Sequence, residues 1–243
     1  MSLDELLERT SRAEASHFWF RGFRQFVTPL LDRAAAGRRD LSILDCGCGT
    51  GYNLRQLARY GRAVGLDLTT TGLSMARGVG RPLAQGDATR LPFASRRFDL
   101  VTSFDMLQCV RDDRRAVDEI ARVLKPVGCF VGTVAALKML HGDHALLSKE
   151  VTRYSRGGLL RLLRGAGFDP LVARYAFASI FPLVLGVRTL QRLRGTRVTA
   201  LDIAIPPAPI NAALTAVVSV EAALARHVSP PFGSSLVFLA VKS

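Results

Sequence analysis

Lysine is scarce in this 243-residue chain: it stands only at 125, 138, 149 and 242, and arginine supplies the rest of the 33 basic residues. Against 20 acidic residues this leaves a formal net charge of +13. Such a balance invites an anionic partner, whether nucleic acid, a phosphorylated substrate or an acidic lipid surface. The arginines are spread from Arg9 to Arg226 without a basic block, so charge by itself names no partner and a solvated surface is the plain reading. Cysteine is equally sparse, at 46, 48, 109 and 129. Zinc favours C-x2-C pairs matched by further Cys or His at similar spacing, and a lone C-x-C with distant partners lacks that set. No metal is expected.

Other absences narrow the field further. There is no G-K-[ST], which excludes a phosphate-clamping P-loop. No apolar run reaches the roughly 18 to 20 residues that span a bilayer. The nearest, Tyr175 to Val187, contains Pro182 and lies between Arg174 and Arg188, while Asn211 to Ala225 is interrupted by Glu221. Both stretches suit the wall of a greasy pocket or an interfacial helix resting on a membrane. The opening "MSLDELLERTSRAEASH" is acidic and amphipathic and lacks the apolar segment of a secretory signal, so a reducing cytoplasm is the expected home. Internal repeats and low-complexity tracts are missing too.

What is present is a globular composition, 49% hydrophobic and 22% charged. A chain of this length buries roughly 70 to 75% of its unfolded surface and is expected to form one domain. Leu3 to Leu7 and His17 to Leu31 read as helical, with Phe18, Trp19, Phe23, Phe26, Val27 and Leu30 recurring at three- and four-residue steps. Short apolar runs at 41–46, 63–68, 83–85, 98–104 and 129–134 then read as buried strands. Helical stretches at 52–60, 70–77 and 113–124 separate most of them, the last ended by Lys125 and Pro126. This alternation predicts a doubly wound α/β fold with a mostly parallel sheet and right-handed crossovers. A helix at 156–166, a turn and strand in "GAGFDPLVARYA" and a final strand in "SSLVFLAVKS" follow. The expected organisation is a helical cap over 1–37, a core over 41–176, an apolar insertion over 177–231 and a closing strand over 232–243.

The first strand runs into Gly47-x-Gly49-x-Gly51 and then a helix. Glycines at such a turn adopt backbone conformations closed to other residues and let a ligand approach the peptide groups. The dinucleotide fingerprint G-x-G-x-x-G would require glycine at 52, where Tyr52 stands. Preceded by Asp45, the loop instead resembles motif I of the class I S-adenosylmethionine-dependent methyltransferases. "VGLDLT" supplies Asp67 and Leu68 at the end of the second strand, "AQGDATRLPF" supplies Asp87 and Ala88 at the end of the third, and "RRFDLVTSFDMLQCV" and "ARVLKPVGCFVGT" resemble the fourth and fifth strands of the methyltransferase 11 type. One Asp after a strand reads equally well as a helix N-cap. Three at successive strand ends beside a glycine loop favour a ligand.

This resemblance, which extends to "SHFWFRGFRQFV", "RYSRGGLLRLLRGAGF" and "PFGSSLVFLAVK", implies a seven-stranded Rossmann-like sheet and S-adenosylmethionine as cofactor. It implies cofactor contacts at Asp45, Gly47, Cys48, Gly49, Gly51, Asp67, Leu68, Asp87, Ala88 and Phe104, with Asp67 on the ribose, Asp45 near the amino group, and Cys46 and Cys48 as small fillers. The chain departs from the wider superfamily at Gln108 and Cys109, where Glu or Tyr followed by His is frequent. Methyl transfer is an in-line displacement, so orientation carries much of the catalysis, and a base is needed only when the acceptor must lose a proton. His141, His144 and Tyr154 are the candidates. The pocket walls are apolar with scattered Arg, which points to a small hydrophobic or lipid-like acceptor and peripheral membrane contact. Alternative readings are a nucleic-acid methyltransferase, disfavoured by the absence of an N-P-P-Y-like motif, and a non-catalytic adenosylmethionine binder.

Overall fold

A computed structural model describes residues 3–137, 150–183, 185–186, 189 and 204–243. The alternation of strands and helices folds into a single seven-stranded sheet: β1 (Leu41–Cys46), β2 (Gly61–Asp67), β3 (Leu83–Gln85), β4 (Phe98–Phe104), β5 (Leu124–Ala135), β6 (Phe168–Ala176) and β7 (Ser235–Lys242). The strands lie in the order β3-β2-β1-β4-β5-β7-β6. Only β7 runs against its neighbours, so the mostly parallel sheet carries one reversed strand. Helices α1 (Leu3–Ala13), α2 (Phe18–Ala35), α3 (Tyr52–Leu57), α4 (Thr70–Ala76), α5 (Asp113–Val123), α6 (Arg156–Gly165) and α7 (Ala208–Leu224) surround it.

The strands are apolar on both faces because both faces are covered. Leu236, Phe238 and Ala240 of β7 join Val101 and Phe130 in one core with Val117 and Ile120 of α5 and Leu159 and Leu163 of α6. Val237 and Leu239 point the other way, to Phe23, Val27 and Leu31 of α2, Leu54 and Leu57 of α3, and Val218 and Ala222 of α7. Each such Leu, Val or Phe contributes roughly 1.5 to 3 kcal/mol on burial.

Two expectations are refined here. The N-terminal helical unit is more than a cap: α2 lies against β5 and β7, its three- and four-residue apolar repeat facing the sheet. The described end of the apolar insertion, α7, packs beside α2, where Gly22 lets the helices approach; a Cβ there would stand 2.3 Å from Val218 Cγ1. In addition, β5 begins at Leu124, directly after α5, rather than at 129. The chain pairs Phe98 with Leu124 and Leu100 with Cys129, so the stretch around Lys125-Pro126 is an irregular bulge inside the strand, with Val127 at φ 56°. A proline that cannot donate to a ladder is tolerated at such a bulge.

Candidate functional site

Strand order reverses between β1 and β4, so the connections leaving their carboxyl ends diverge and open a crevice where ligands of such sheets bind. The glycine loop forms one wall. Gly47, Gly49 and Gly51 have φ of 84°, 49° and 79°. Gly47 and Cys48 donate their amides to Leu66 O at 2.7 and 2.9 Å, and Gly51 donates to Cys48 O at 2.8 Å. A Cβ at Gly47 would meet Met106 Cγ at 2.5 Å, and one at Gly51 would meet Ala76 Cβ at 2.8 Å. At Gly49 it would meet nothing within 4 Å. Two of the glycines therefore serve the protein's own packing, and Gly49 faces space open to a ligand. Cys46 and Cys48 are free and buried, and burial raises both thiols far above the usual range. Cys48 fills the space over Gly65 of β2, as expected of a small filler.

The three strand-end acids meet different surroundings. Asp67 ends β2 and ties the loop: its Oδ2 accepts the Gly49 amide at 2.8 Å, and its Oδ1 accepts the Thr69 amide and hydroxyl at 2.8 and 2.7 Å. A carboxylate offers about four lone-pair sites, so acceptor capacity is left over. Beside it Leu68 is 66% exposed, an apolar side chain held in the open at a strand tip. Asp87 holds Thr89 through Oδ1, with both bonds at 2.8 Å, beside the buried Ala88. Asp45, one residue before the end of β1, is 1% exposed. Its Oδ1 accepts from Thr102 Oγ1 at 2.7 Å, while Oδ2 is buried with no partner among the described residues. Burial, reinforced by the nearby Asp67 charge, pushes its carboxyl up to about 7. Phe104, at the tip of β4, packs edge-on against Phe23, with ring centres 5.1 Å apart.

The site's chemistry can be tested against S-adenosylmethionine. A buried, orphaned carboxylate oxygen suits an ammonium group, spare acceptor capacity on Asp67 suits ribose hydroxyls, and the bare apolar side of Leu68 suits an adenine ring. The cleared space over Gly49 adjoins Asp67, which holds the Gly49 amide. The residues fit the cofactor.

On the β4 side of the crevice the structure brings together residues that sequence reasoning missed. Asp105 takes a left-handed φ of 54°, its amide bonds Thr133 of β5, and its carboxylate accepts from Thr133 Oγ1 at 3.1 Å. Burial raises its pKa, and the charge of Glu150 adds to that, while Thr133, Gln108 and Arg153 oppose it. Glu150 pairs with Arg153 at 2.9 Å. Gln108, one of the two departures noted in the sequence, accepts the Ala135 amide through its side chain at 3.2 Å. No local spacing marks this cluster; its only sequence signal is an acid directly after the fourth strand.

Of the candidate bases, His141 and His144 lie outside the described residues. Tyr154 is buried in the core, where its hydroxyl donates to Asp113 Oδ2 at 2.6 Å and its pKa is raised by desolvation and that partner. Its proton is thus held at Asp113. His17 caps α2, its Nδ1 accepting the Trp19 amide at 3.1 Å, and it stacks on Phe18. A further unforeseen contact is Glu14, whose carboxylate accepts from Thr50 Oγ1 within the glycine loop at 2.7 Å, fastening the segment before α2 to the site.

Residues 44–132 match the methyltransferase domain family. A demethylmenaquinone methyltransferase of Roseiflexus is 36% identical over 161 residues, covering 63% of this chain and 66% of the relative. A fatty-acid O-methyltransferase of Mycolicibacterium smegmatis is 36% identical over 100 residues, covering 38% of this chain and 36% of the relative. The chain thus spans less than two thirds of the length of these curated relatives. A solved S-adenosylmethionine-dependent methyltransferase from Mesorhizobium loti superposes with a TM-score of 0.59 at 19% identity, covering 88% of this chain and 96% of that one. Residues 44–132, with the sheet order, glycine loop and strand-end acids around them, are a methyltransferase domain of the class I S-adenosylmethionine-dependent kind.

Proposed function

We propose that the protein transfers a methyl group from S-adenosylmethionine to a small hydrophobic or lipid-like acceptor. The observation that carries the reading is the clearing over Gly49, whose amide Asp67 holds, in a loop that follows the orphaned Asp45 Oδ2. When bound, the cofactor supplies a methyl group on a sulfonium, which is itself a good leaving group. The residues then have three tasks. Asp45, Asp67, Leu68 and Asp87 fix the donor's ends, and Gly47, Cys48, Gly49, Gly51 and Ala88 shape its bed. Phe104 and the α2 aromatics exclude water beside it. Asp105 faces the acceptor side, where a desolvated carboxylate of raised pKa can hold an acceptor hydroxyl or take its proton.

The acceptor class is supported by two things. The relatives' names denote methylation of a demethylmenaquinone and of a fatty acid. Exposed apolar side chains also gather at the carboxyl end of the sheet: Phe232 lies just before β7 and against Phe181, and Ile205 follows Ala204, whose carbonyl meets the ring of His17. Peripheral contact with a membrane belongs to the same proposal. No described helix is long and apolar enough to cross one.

The test is incubation with methyl-labelled adenosylmethionine and an extract of lipids and small metabolites, read by mass spectrometry, with Asp67→Ala as control. Label should enter an organic-soluble product. Asp67→Ala should weaken cofactor binding by losing charge-assisted hydrogen bonds worth roughly 1.5 to 3 kcal/mol, about 10- to 150-fold in Kd. Cofactor binding with no labelled product from any extract would leave a binding protein in place of an enzyme.

A further inference from the structure

Helix α7 is built inside out. Its polar side chains are turned toward the protein: Asn211 bonds the Phe18 amide and the Ser16 carbonyl, both at 2.9 Å, and Glu221 takes the amides of Ala178 and Ser179 at 2.8 and 3.0 Å. Thr215 and Ser219 return their hydroxyls to the carbonyls one turn back, both at 2.7 Å. Its solvent side is the apolar one. Ile210, Val217, Val220 and Leu224 are all exposed, Val220 at 61%, and at the helical period they fall within roughly 80° of one another. Val228, just past the helix end, continues the stripe and is also exposed. Glu221, the charged residue of α7, stands at one edge of the stripe, where its carboxylate is engaged by the amides of Ala178 and Ser179. A surface helix of a water-facing protein has the opposite polarity.

Past the exposed Ala216 and Ala223, the side of α7 that turns to α2 is cationic. Between α2 and α7 runs an open groove lined by Arg21, Arg24 and Arg226, with Ser219 and Ala223 on the α7 side. The acid in it, Asp32, is occupied by the Tyr60 hydroxyl at 2.8 Å. The stripe also leads to the site. Asn211, near the start of α7, is bonded to the start of α2, and Phe23 in the first turns of α2 touches Phe104 at the mouth of the crevice. Ile205 lies at that same end of α7.

We propose that the outward face of α7, with Arg21 and Arg226 beside it, is a docking surface for an anionic lipid bilayer. The apolar stripe lies among the acyl chains and the arginines meet phosphate headgroups, which sets the crevice mouth at the lipid surface. Charge decides the occupant. A second copy would bring its own arginines and the same excess of positive charge to this side of α7, whereas anionic headgroups complement it. The inference deepens the reading of a lipid-like acceptor, but it rests on the polarity of α7 and on the groove, and it can be tested without acceptor or cofactor.

The experiment is co-sedimentation of the full chain with vesicles of phosphatidylcholine alone or with a quarter phosphatidylglycerol, alongside sedimentation velocity without lipid. The wild type should partition onto the anionic vesicles, less onto the zwitterionic ones, and less as salt is raised. Val217→Glu with Val220→Glu should cut partitioning at least tenfold. Arg21→Glu with Arg226→Glu should cut it by about fivefold or more per arginine. Both variants change exposed positions, so adenosylmethionine binding by calorimetry should be unchanged and certifies the fold. Three results would overturn the proposal: a wild type that ignores anionic vesicles, variants that bind them as well as the wild type, or a lipid-free dimer that the valine variant dissociates. Vesicle binding without methylation of any lipid-phase acceptor would instead refute the acceptor reading and leave the docking surface standing.

Discussion

Asp45 shows how one residue reports on the ligand. Its carboxyl titrates near 7 in the folded chain against a reference value of 3.8, chiefly because burial disfavours the charged form. The folded state therefore holds a proton that the unfolded state has lost between those values. Asp45 costs the fold nothing below about 4, and its protonated form's advantage fades as pH rises through about 7. An ammonium group placed against the unpaired Oδ2 reverses the balance by favouring the ionised form. Cofactor binding near pH 7 should thus expel up to about half a proton per molecule. Calorimetry in two buffers of different ionisation enthalpy measures that number, and Asp45→Asn should abolish it; equal heats in both buffers for the wild type would remove Asp45 from the amino-group site. Asp45, Asp67 and Asp87 were legible because each follows a short apolar run within its own strand. Asp105 was not, because what distinguishes it, a left-handed φ and a bond to Thr133, comes from the neighbouring strand. Tyr154 was singled out by sequence position alone, and the partner that holds its proton, Asp113, is 41 residues away.

At the level of the element, the glycine loop separates two demands that its sequence pattern merges. G-x-G-x-G reads as one motif, yet only Gly49 has open space where a side chain would go. Gly49→Val should leave the sheet folded at the cost of a strained left-handed residue, roughly 1 to 3 kcal/mol, while blocking the cofactor. Gly51→Val adds the same strain and drives a branched side chain into Ala76 and Val79 of the segment after β2. It should lose the further roughly 1 to 3 kcal/mol typical of overpacking. Urea denaturation paired with cofactor titration distinguishes the two: similar stability losses, or retained binding by Gly49→Val, would show that the clearing is not the cofactor's. Strand periods were also legible at this scale, and β1, β3 and β4 stand where the apolar runs ended. The start of β5 was hidden because Lys125-Pro126 reads as a stop, and only pairing with β4 turns that stop into a bulge.

For the whole molecule, local patterning predicted alternation and hence a doubly wound sheet, but not which layers would cover it. The second layer unites α2 and α7, whose meeting point joins Gly22 to Val218 across most of the chain. The apolar composition of α7 was visible, yet periodicity could not say that its polar residues face inward, since that depends on α2 and on the turn after β6. The site inherits the same long-range assembly: β1 supplies the loop, β2 and β3 the acids, β4 the opposite wall, and the segment before α2 the Glu14 tether. None of these groups is gathered in an unfolded chain. A ligand that needs all of them binds only the folded form and stabilises it as a unit. With adenosylmethionine at 100 times its Kd, the gain is roughly 2.7 kcal/mol. For a domain of this size that corresponds to a rise of roughly 5 to 10 °C in Tm. Asp67→Ala, measured at the same ligand concentration, should lose most of the shift even where its ligand-free Tm is close to wild type. A wild-type Tm that does not move with cofactor, in a protein whose circular dichroism shows it folded, would mean that the crevice does not take adenosylmethionine at all.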